Sequence, residues 1–349
     1  MKKRDHIEVL GLMSGTSLDG LDMALCRFPD SMDSYELIKA ETLTYTEELQ
    51  NRLGRSVELT SEELFRLDAD LGRWMGNAVN SFLTSDAQKP DLIASHGHTV
   101  FHQPEQGITV QIGNPAFIHA ATGIRVISDF RTLDVALGGQ GAPLVPIGDE
   151  LLFGEYNYCL NLGGIANISF RENGIRHAFD ICACNMILNR LAQREGMAYD
   201  RDGLLAAAGR LIEPLYSALQ DWHYLAKDPP KSLGYEQISA ELFPLLSEDH
   251  DTRDLLHTFS QHIAEEVART CKKSGTMLIS GGGAHNKFLR KLIAEKSNAD
   301  IIYNDTGLVD FKEAIVFAFL GALHSRRKIN VLSSVTGSVR DHIGGMATG

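Results

Sequence analysis

Three glycine-rich turns follow apolar, strand-like runs, and turns of this kind can do phosphate chemistry. The first is Ser14-Gly15-Thr16-Ser17-Leu18-Asp19-Gly20, after residues 6–13. The second is Gly163-Gly164-Ile165-Ala166-Asn167, after 156–162, and the third is Gly281-Gly282-Gly283, after 276–280. Consecutive unobstructed backbone N–H groups form a nest that holds phosphate oxygens without a lysine. The first turn adds the hydroxyls of Ser14, Thr16 and Ser17 and the carboxylates of Asp19 and Asp22. Carboxylates sit beside phosphate when Mg2+ lies between them, usually through water, so Asp19 is the candidate metal contact. A single turn of this kind is more often an ordinary hairpin. Repetition at the head of two similar stretches favours the phosphate role. Neither G-x-x-x-x-G-K-[ST] nor G-x-G-x-x-G after the first strand occurs, which argues against P-loop and dinucleotide-binding readings.

Other polar clusters carry weaker signals. His96, His98 and His102 alternate along a strand and its loop, so they share a face. No cysteine or carboxylate completes a ligand set, and a polar contact to a sugar suits His96 or His98 better than zinc. Arg131 has the fork geometry for a substrate carboxylate; a surface ion pair with Asp134 is the plainer alternative. Cys182 and Cys184 have no second pair and read as small buried residues. Glu313 begins an apolar helix, where a first-turn acid suits the helix dipole.

The elements that must position these residues follow from periodicity. Strands are expected at 6–13, 21–28 and about 35–45, and an amphipathic helix at 61–84 with Ser61 as N-cap. A buried strand at 91–95 ends at His96-Gly97-His98, followed by a strand at 108–112, a helix at 114–122 and a strand at 124–129. The loop Gly138-Gly139-Gln140-Gly141-Ala142-Pro143 is the clearest break. Strands recur at 156–162, 167–171 and 175–180, the last two joined by the hairpin signal Asn173-Gly174. Helices at about 185–195, 202–220 and 251–273, a strand at 276–280, a helix at 284–296, a strand at 300–304 and a helix at 311–327 complete the chain. Each half starts strand, glycine turn, strand, strand, and then alternates helices and strands. That is a weak internal duplication. It implies two α/β domains, 1–135 and 136–349, with a cleft between them and the C-terminal segment able to pack back on the first.

Composition agrees. The 349 residues suggest about two domains, and 44% hydrophobic with 22% charged residues excludes a disordered chain. A net charge of −12 without a basic stripe argues against nucleic acid. No apolar run reaches the roughly 18 residues of a membrane span. Five cysteines without scaffold spacing fit a reducing cytoplasm.

The segment Gly11-Leu-Met-Ser-Gly-Thr-Ser-Leu-Asp-Gly-Leu-Asp22 closely resembles the signature of the anhydro-N-acetylmuramic acid kinases. These are sugar kinases of the hexokinase/actin/Hsp70 superfamily. The resemblance continues at Ser95-His-Gly97, Ser128-Asp-Phe-Arg131, Gly138–Val145, Asn161–Asn167, Tyr199–Gly203, Pro229-Pro-Lys-Ser232, Ser280–Asn286, Glu313-Ala314 and Ser334–Gly337. It implies two RNase H-like domains with mixed five-stranded sheets flanked by helices. It also implies a bacterial kinase of cell-wall recycling that uses ATP and Mg2+. Water opens 1,6-anhydro-N-acetylmuramic acid at C1, and O6 takes the phosphoryl group. By position Gly15, Thr16, Ser17, Leu18, Asp19, Gly20, Leu21 and Asp22 are expected at the ATP phosphates, with Gly163 and Gly164 as the second phosphate turn. Gly281, Gly282 and Gly283 line the adenosine end. Asp180 matches the general base, its plainer role being a cap for the helix near Asn185. His96, Arg131 and Glu313 are expected on the sugar. A homodimer is also implied.

The chain departs from the family pattern on the sugar side. The usual Thr-Gly-Pro-Gly-Asn after the base is Ile181-Cys182-Ala183-Cys184-Asn185 here, and the usual Gln and Arg after Ser-His-Gly are His98 and Phe101. The usual Pro-Lys-Ser-Thr-Gly-Arg-Glu reads Pro230-Lys231-Ser232-Leu233-Gly234-Tyr235-Glu236. Two alternatives follow: a kinase of the same fold for another sugar, and a sugar- and nucleotide-binding regulator without turnover.

Overall fold

The computed structural model describes residues 5–15, 18–83, 89–229, 231–304 and 307–349. Two compact units result. One combines Met1–Phe153 with Phe311–Gly349, and the other is Gly154–Asp310. The boundary expected at 135/136 falls inside the first unit. Residues 136–153 stay there because Asp134 holds the glycine loop: it accepts from Gly141 N (2.7 Å) and from Thr336 Oγ1 (2.7 Å).

The first unit is built on β1 (His6–Ser14), β2 (Gly20–Pro29), β3 (Glu36–Thr44), β4 (Leu92–Gln103), β5 (Ile108–Ile112) and β6 (Val126–Ser128). β2 runs antiparallel to both β1 and β3, while β4 runs parallel to β1 and to β6. The C-terminal strand Met346–Thr348 closes the β6 edge and β5 pairs with β4. This sheet therefore has seven strands among the described residues rather than five. Helix Ser61–Phe82 buries Leu67, Leu71, Met75 and Val79 on one face. Its N-cap is Thr60, not Ser61: Thr60 Oγ1 accepts from Glu63 N while the Glu63 carboxylate accepts from Thr60 N, a capping box.

The second unit repeats the first order with β7 (Tyr158–Leu162), β8 (Ile165–Glu172), β9 (Ile175–Ala183), β10 (Gly275–Ser280) and β11 (Ala299–Ile302), arranged β11-β10-β7-β8-β9. Again the first three strands are antiparallel and the last two parallel to the first. Helix Thr252–Thr270 buries Leu255, Leu256, Phe259, Ile263 and Val267 in its core. The helix expected over 202–220 is broken into Leu204–Ala208 and Glu213–Gln220. Gly209 lies between them, and a Cβ there would overlap the Arg253 carbonyl.

Two strands run further than their patterns suggested. β4 continues through His96-Gly97-His98 to Gln103 because Gly97 takes φ +75°, and a Cβ there would meet the Ile112 carbonyl at 2.6 Å. β9 continues past Asp180 to Ala183 through a bulge. Asn167 pairs with Asp180 and Ala166 with Cys182, leaving Ile181 as the extra residue. Residues 181–183 are thus strand rather than loop, and Cys182 and Cys184 are both wholly buried.

Candidate active site

The β1–β2 turn places Asp19 exposed and Asp22 half-buried on one hairpin. Asp22 Oδ1 accepts from Thr42 Oγ1 at 2.6 Å. Thr16 and Ser17 lie outside the described residues. Two carboxylates on one turn are the hard oxygen donors that Mg2+ prefers, so the donor set fits that ion. Leu18 has φ +60° and its N–H reaches Gly15 O at 3.4 Å. Leu21 is buried core. A Cβ on Gly20 would meet the Leu43 carbonyl at 2.6 Å, so strand pairing already explains that glycine. Gly11 is explained the same way by the backbone of helix Leu308–Ser325 at Ala314.

The second turn is different. Gly163 and Gly164 have no left-handed φ, and a Cβ on Gly164 would find only Met186 Cε at 3.7 Å. At Gly164 neither packing nor conformation demands glycine, and the open space suits a ligand approaching backbone; a Cβ on Gly163 would sit 3.3 Å from Asn161 Nδ2. The turn's carbonyls are taken: Gly164 O accepts from Cys184 N (2.9 Å) and Met186 N (3.1 Å), and Gly163 O from Asn185 N (3.1 Å). They satisfy the first N–H groups of helix Asn185–Arg194. Asp180 therefore does not cap this helix. In the third turn Gly281 (φ +82°) and Gly283 press on Leu162, whereas Gly282 faces open space with Asn185 Nδ2 3.9 Å from a notional Cβ.

In the first unit His96 and Arg131 are brought together. Arg131 Nε and Nη2 both donate to His96 Nε2 (3.0 and 2.9 Å), and Nη1 donates to Gly141 O (2.7 Å). His96 Nε2 is thus an acceptor, so Nδ1 carries the proton and donates to Gly97 O at 2.9 Å. Burial and the Arg131 charge hold the imidazole neutral, well below its ordinary pKa. An imidazole held as an acceptor for a cation is not placed as a metal ligand, and no metal-binding cluster of His, Cys, Asp and Glu occurs among the described residues. Burial lowers the Arg131 pKa to about 10, with Glu313 and Asp134 opposing, so it stays cationic at neutral pH. Glu313 is raised by burial and by the Asp22 charge, against Arg131 and Lys312. His96, Arg131, Glu313 and Asp22 thus form one coupled set, and Arg131 is not in a surface ion pair. His98 belongs to a separate chain: its Nδ1 lies 3.0 Å from Ser14 Oγ, which accepts from Tyr45 OH at 2.6 Å.

Asp180 lies in the second unit, at the bulge of β9. Its backbone N–H donates to Lys231 O (3.2 Å), and its carbonyl accepts from Tyr224 OH (2.8 Å). Its Oδ2 accepts from Leu233 N (2.9 Å), which leaves Oδ1 for another proton. Burial pushes the carboxyl up to about 6, with the Leu233 hydrogen bond opposing. A carboxylate poised near neutrality suits a general base. Sequence reasoning missed Tyr224, Lys231 and Leu233 as its holders, since a backbone amide or carbonyl has no signature. The Pro229-Pro-Lys-Ser232 resemblance was the one pointer to that segment. Burial pushes the Cys184 thiol up to about 12 and that of Cys182 well above its ordinary value, so neither is a nucleophile.

Comparisons with known proteins show what the whole chain is similar to. The family model described as anhydro-N-acetylmuramic acid kinase matches residues 7–348. The kinase of that name from Shewanella loihica is 35% identical over 97% of this chain and 98% of its own. The one from Sulfurimonas denitrificans is 32% identical over 96% and 97%. A solved activator of 2-hydroxyisocaproyl-CoA dehydratase from Clostridium difficile aligns over 92% of this chain and 97% of its own, with 14% identity and a TM-score of 0.44. The chain belongs to the anhydro-N-acetylmuramic acid kinase family.

Proposed function

We propose that this protein uses ATP to phosphorylate 1,6-anhydro-N-acetylmuramic acid while water opens its anhydro bridge, giving N-acetylmuramic acid 6-phosphate in bacterial cell-wall recycling. The observation that carries the reading is Asp180, a carboxyl near neutrality with one oxygen fixed by Leu233 N–H and the other available. A binder without turnover needs no such base. Family membership supports the sugar; the kinases that carry the name resemble this chain from end to end.

In this mechanism Asp180 accepts a proton from water as its oxygen bonds to C1 and the C1–O6 bond breaks. The freed O6 takes the γ-phosphoryl group and ADP leaves. Phosphoryl transfer depends mainly on positioning and charge neutralisation. The turns at Gly15–Asp22 and Gly163-Gly164 offer backbone N–H groups to the ATP phosphates, and Gly281 to Gly283 border the adenosine end. Mg2+, held through water by Asp19, would neutralise phosphate charge. Arg131, already fixed by His96 and Gly141 O, presents its remaining N–H groups to the sugar's lactyl carboxylate. His96 and Glu313 complete the sugar contacts.

No described helix is long and apolar enough to cross a membrane, and a cytoplasmic location suits an ATP-requiring reaction. A homodimer is part of the same proposal. The test is turnover in 18O-labelled water with ATP, Mg2+ and the anhydro sugar. One solvent oxygen is expected at C1 of the phosphorylated product, read before anomeric exchange. No product, or a phosphorylated product without solvent oxygen, overturns the proposal.

A further inference from the structure

A cavity of about 690 Å3 opens in the second unit, on a wall of β9 to which the proposed chemistry assigns no role. Its size suits a small-molecule site. Phe179 and Ile181, which flank Asp180 in sequence, line it together with Tyr158 and Phe170. Its cations are Arg171, Lys227, Lys231, Arg269, Lys272 and Lys273, against only Glu172 and Glu266. Six positive and two negative side chains leave +4 around one cavity of a chain whose net charge is −12. Such a local reversal of sign concentrates anions.

The wall also holds an acceptor that lacks a donor. Gln220 Oε1 is buried without a hydrogen-bond partner, whereas the Glu266 carboxylate is paired with Arg269 Nη1 at 3.0 Å. A buried acceptor without a donor is costly, and a ligand bearing a hydroxyl or amide N–H donor would satisfy it. Lys227 and Lys272 are exposed at the cavity. An anionic end, a ring face against the aromatic residues, and hydroxyl donors together describe a phosphorylated or carboxylated sugar.

We propose that this cavity binds an anionic sugar, a sugar phosphate or sugar acid, at a site separate from Asp180 and coupled to it through Tyr224, Lys231 and Leu233. The coupling has a visible path. Tyr224 and Lys231 hold the Asp180 backbone, Leu233 N–H holds its carboxylate, and Lys231 itself lines the cavity. A ligand that draws on Lys231 moves the residues that fix the base. The coupling rests on the catalytic role proposed for Asp180; the binding does not.

The binding test uses glucose 6-phosphate as probe, with glucose and inorganic phosphate as partial ligands. Trp222 is the reporter, in a Trp74→Phe background, because its ring lies 5.0 Å from that of Tyr224. Saturable binding of glucose 6-phosphate is expected, at least tenfold tighter than either partial ligand. The Lys227→Glu/Lys272→Glu variant is expected to weaken it at least tenfold while keeping its basal turnover and thermal stability. No saturable binding, or equal binding by the variant, overturns the site. The coupling is read with ATP and anhydro sugar both saturating, where competition at the reaction site is suppressed. Glucose 6-phosphate should change kcat at least twofold in the wild type and leave the variant unaffected. Binding without any change in kcat overturns the coupling and leaves the site. An inactive wild type that still binds the probe overturns the proposed reaction and not the site.

Discussion

Replacing Asp180 by asparagine separates what this carboxyl does for the reaction from what it costs the fold. Burial raises its pKa from an ordinary 3.8 to about 6. A shift of about two units means that keeping it ionised in the folded state costs about 3 kcal/mol at neutral pH. Asparagine carries no charge, and its Oδ1 can still accept from Leu233 N–H. Asp180→Asn should therefore be up to about 3 kcal/mol more stable at pH 7.5 while losing turnover by 10^2- to 10^4-fold, on the order of a general-base contribution. The sign fixes the pH dependence. A raised folded pKa means that the native state binds more protons between about 4 and 6, so wild-type stability rises as pH falls through that window. The variant lacks this group, so its advantage shrinks there, to roughly half at pH 5 and towards nothing below 4. Urea unfolding of both proteins at pH 7.5 and pH 5, monitored by tryptophan emission, measures the difference. An advantage unchanged between the two pH values, or no advantage at pH 7.5, would refute the reasoning.

On the proposed role, the same carboxyl should set the acid limb of the reaction. kcat/KM should fall about tenfold per unit as pH drops below about 6, because the base must be ionised; a flat profile from pH 7 to 5 speaks against Asp180 as base. The glycines should split into two kinds under alanine substitution. Gly164→Ala, with only Met186 Cε near its Cβ, should change stability by less than about 1 kcal/mol yet raise the KM for ATP. Gly11→Ala, which would overlap the Ala314 carbonyl, should cost about 3 kcal/mol in urea unfolding. Arg131→Lys removes a planar fork that holds both His96 and Gly141 O. It should raise the KM for the sugar about tenfold, equivalent to one charged hydrogen bond, with the KM for ATP unchanged in steady-state assays.

Periodicity made most strands and the long helices legible. It failed where a tertiary contact overrides local pattern. Nothing in His96-Gly97-His98 says that the strand continues; that depends on Gly97 passing under the Ile112 carbonyl. The bulge at Ile181 needs the β8 register. The strand Met346–Thr348 is short, and pairing rather than composition defines it. The glycine turns were legible as a group, but sequence could not sort them. Gly20, Gly281 and Gly283 are explained by neighbouring backbone, while Gly164 and Gly282 face open space. Family resemblance singled out Asp180 and Glu313, whereas His96 and Arg131 also drew notice by their own chemistry. The forked tie of Arg131 to His96 joins residues 35 apart, and no spacing rule could announce it.

The first unit is assembled from both ends of the chain, with Gly154–Asp310 inserted between Phe153 and Phe311. This arrangement has a consequence for biosynthesis. As the polypeptide leaves the ribosome, β1 to β6 emerge first but cannot reach their final packing. The helix that covers Gly11 and the strand that closes the β6 edge are synthesised only after the inserted unit. The inserted unit, contiguous in sequence, has all of its strands earlier. The usual vectorial order, N-terminal domain first, is therefore inverted. The unit that carries Asp180 can mature on the nascent chain, whereas the unit that carries Arg131 and Glu313 waits for the segment Phe311–Gly349.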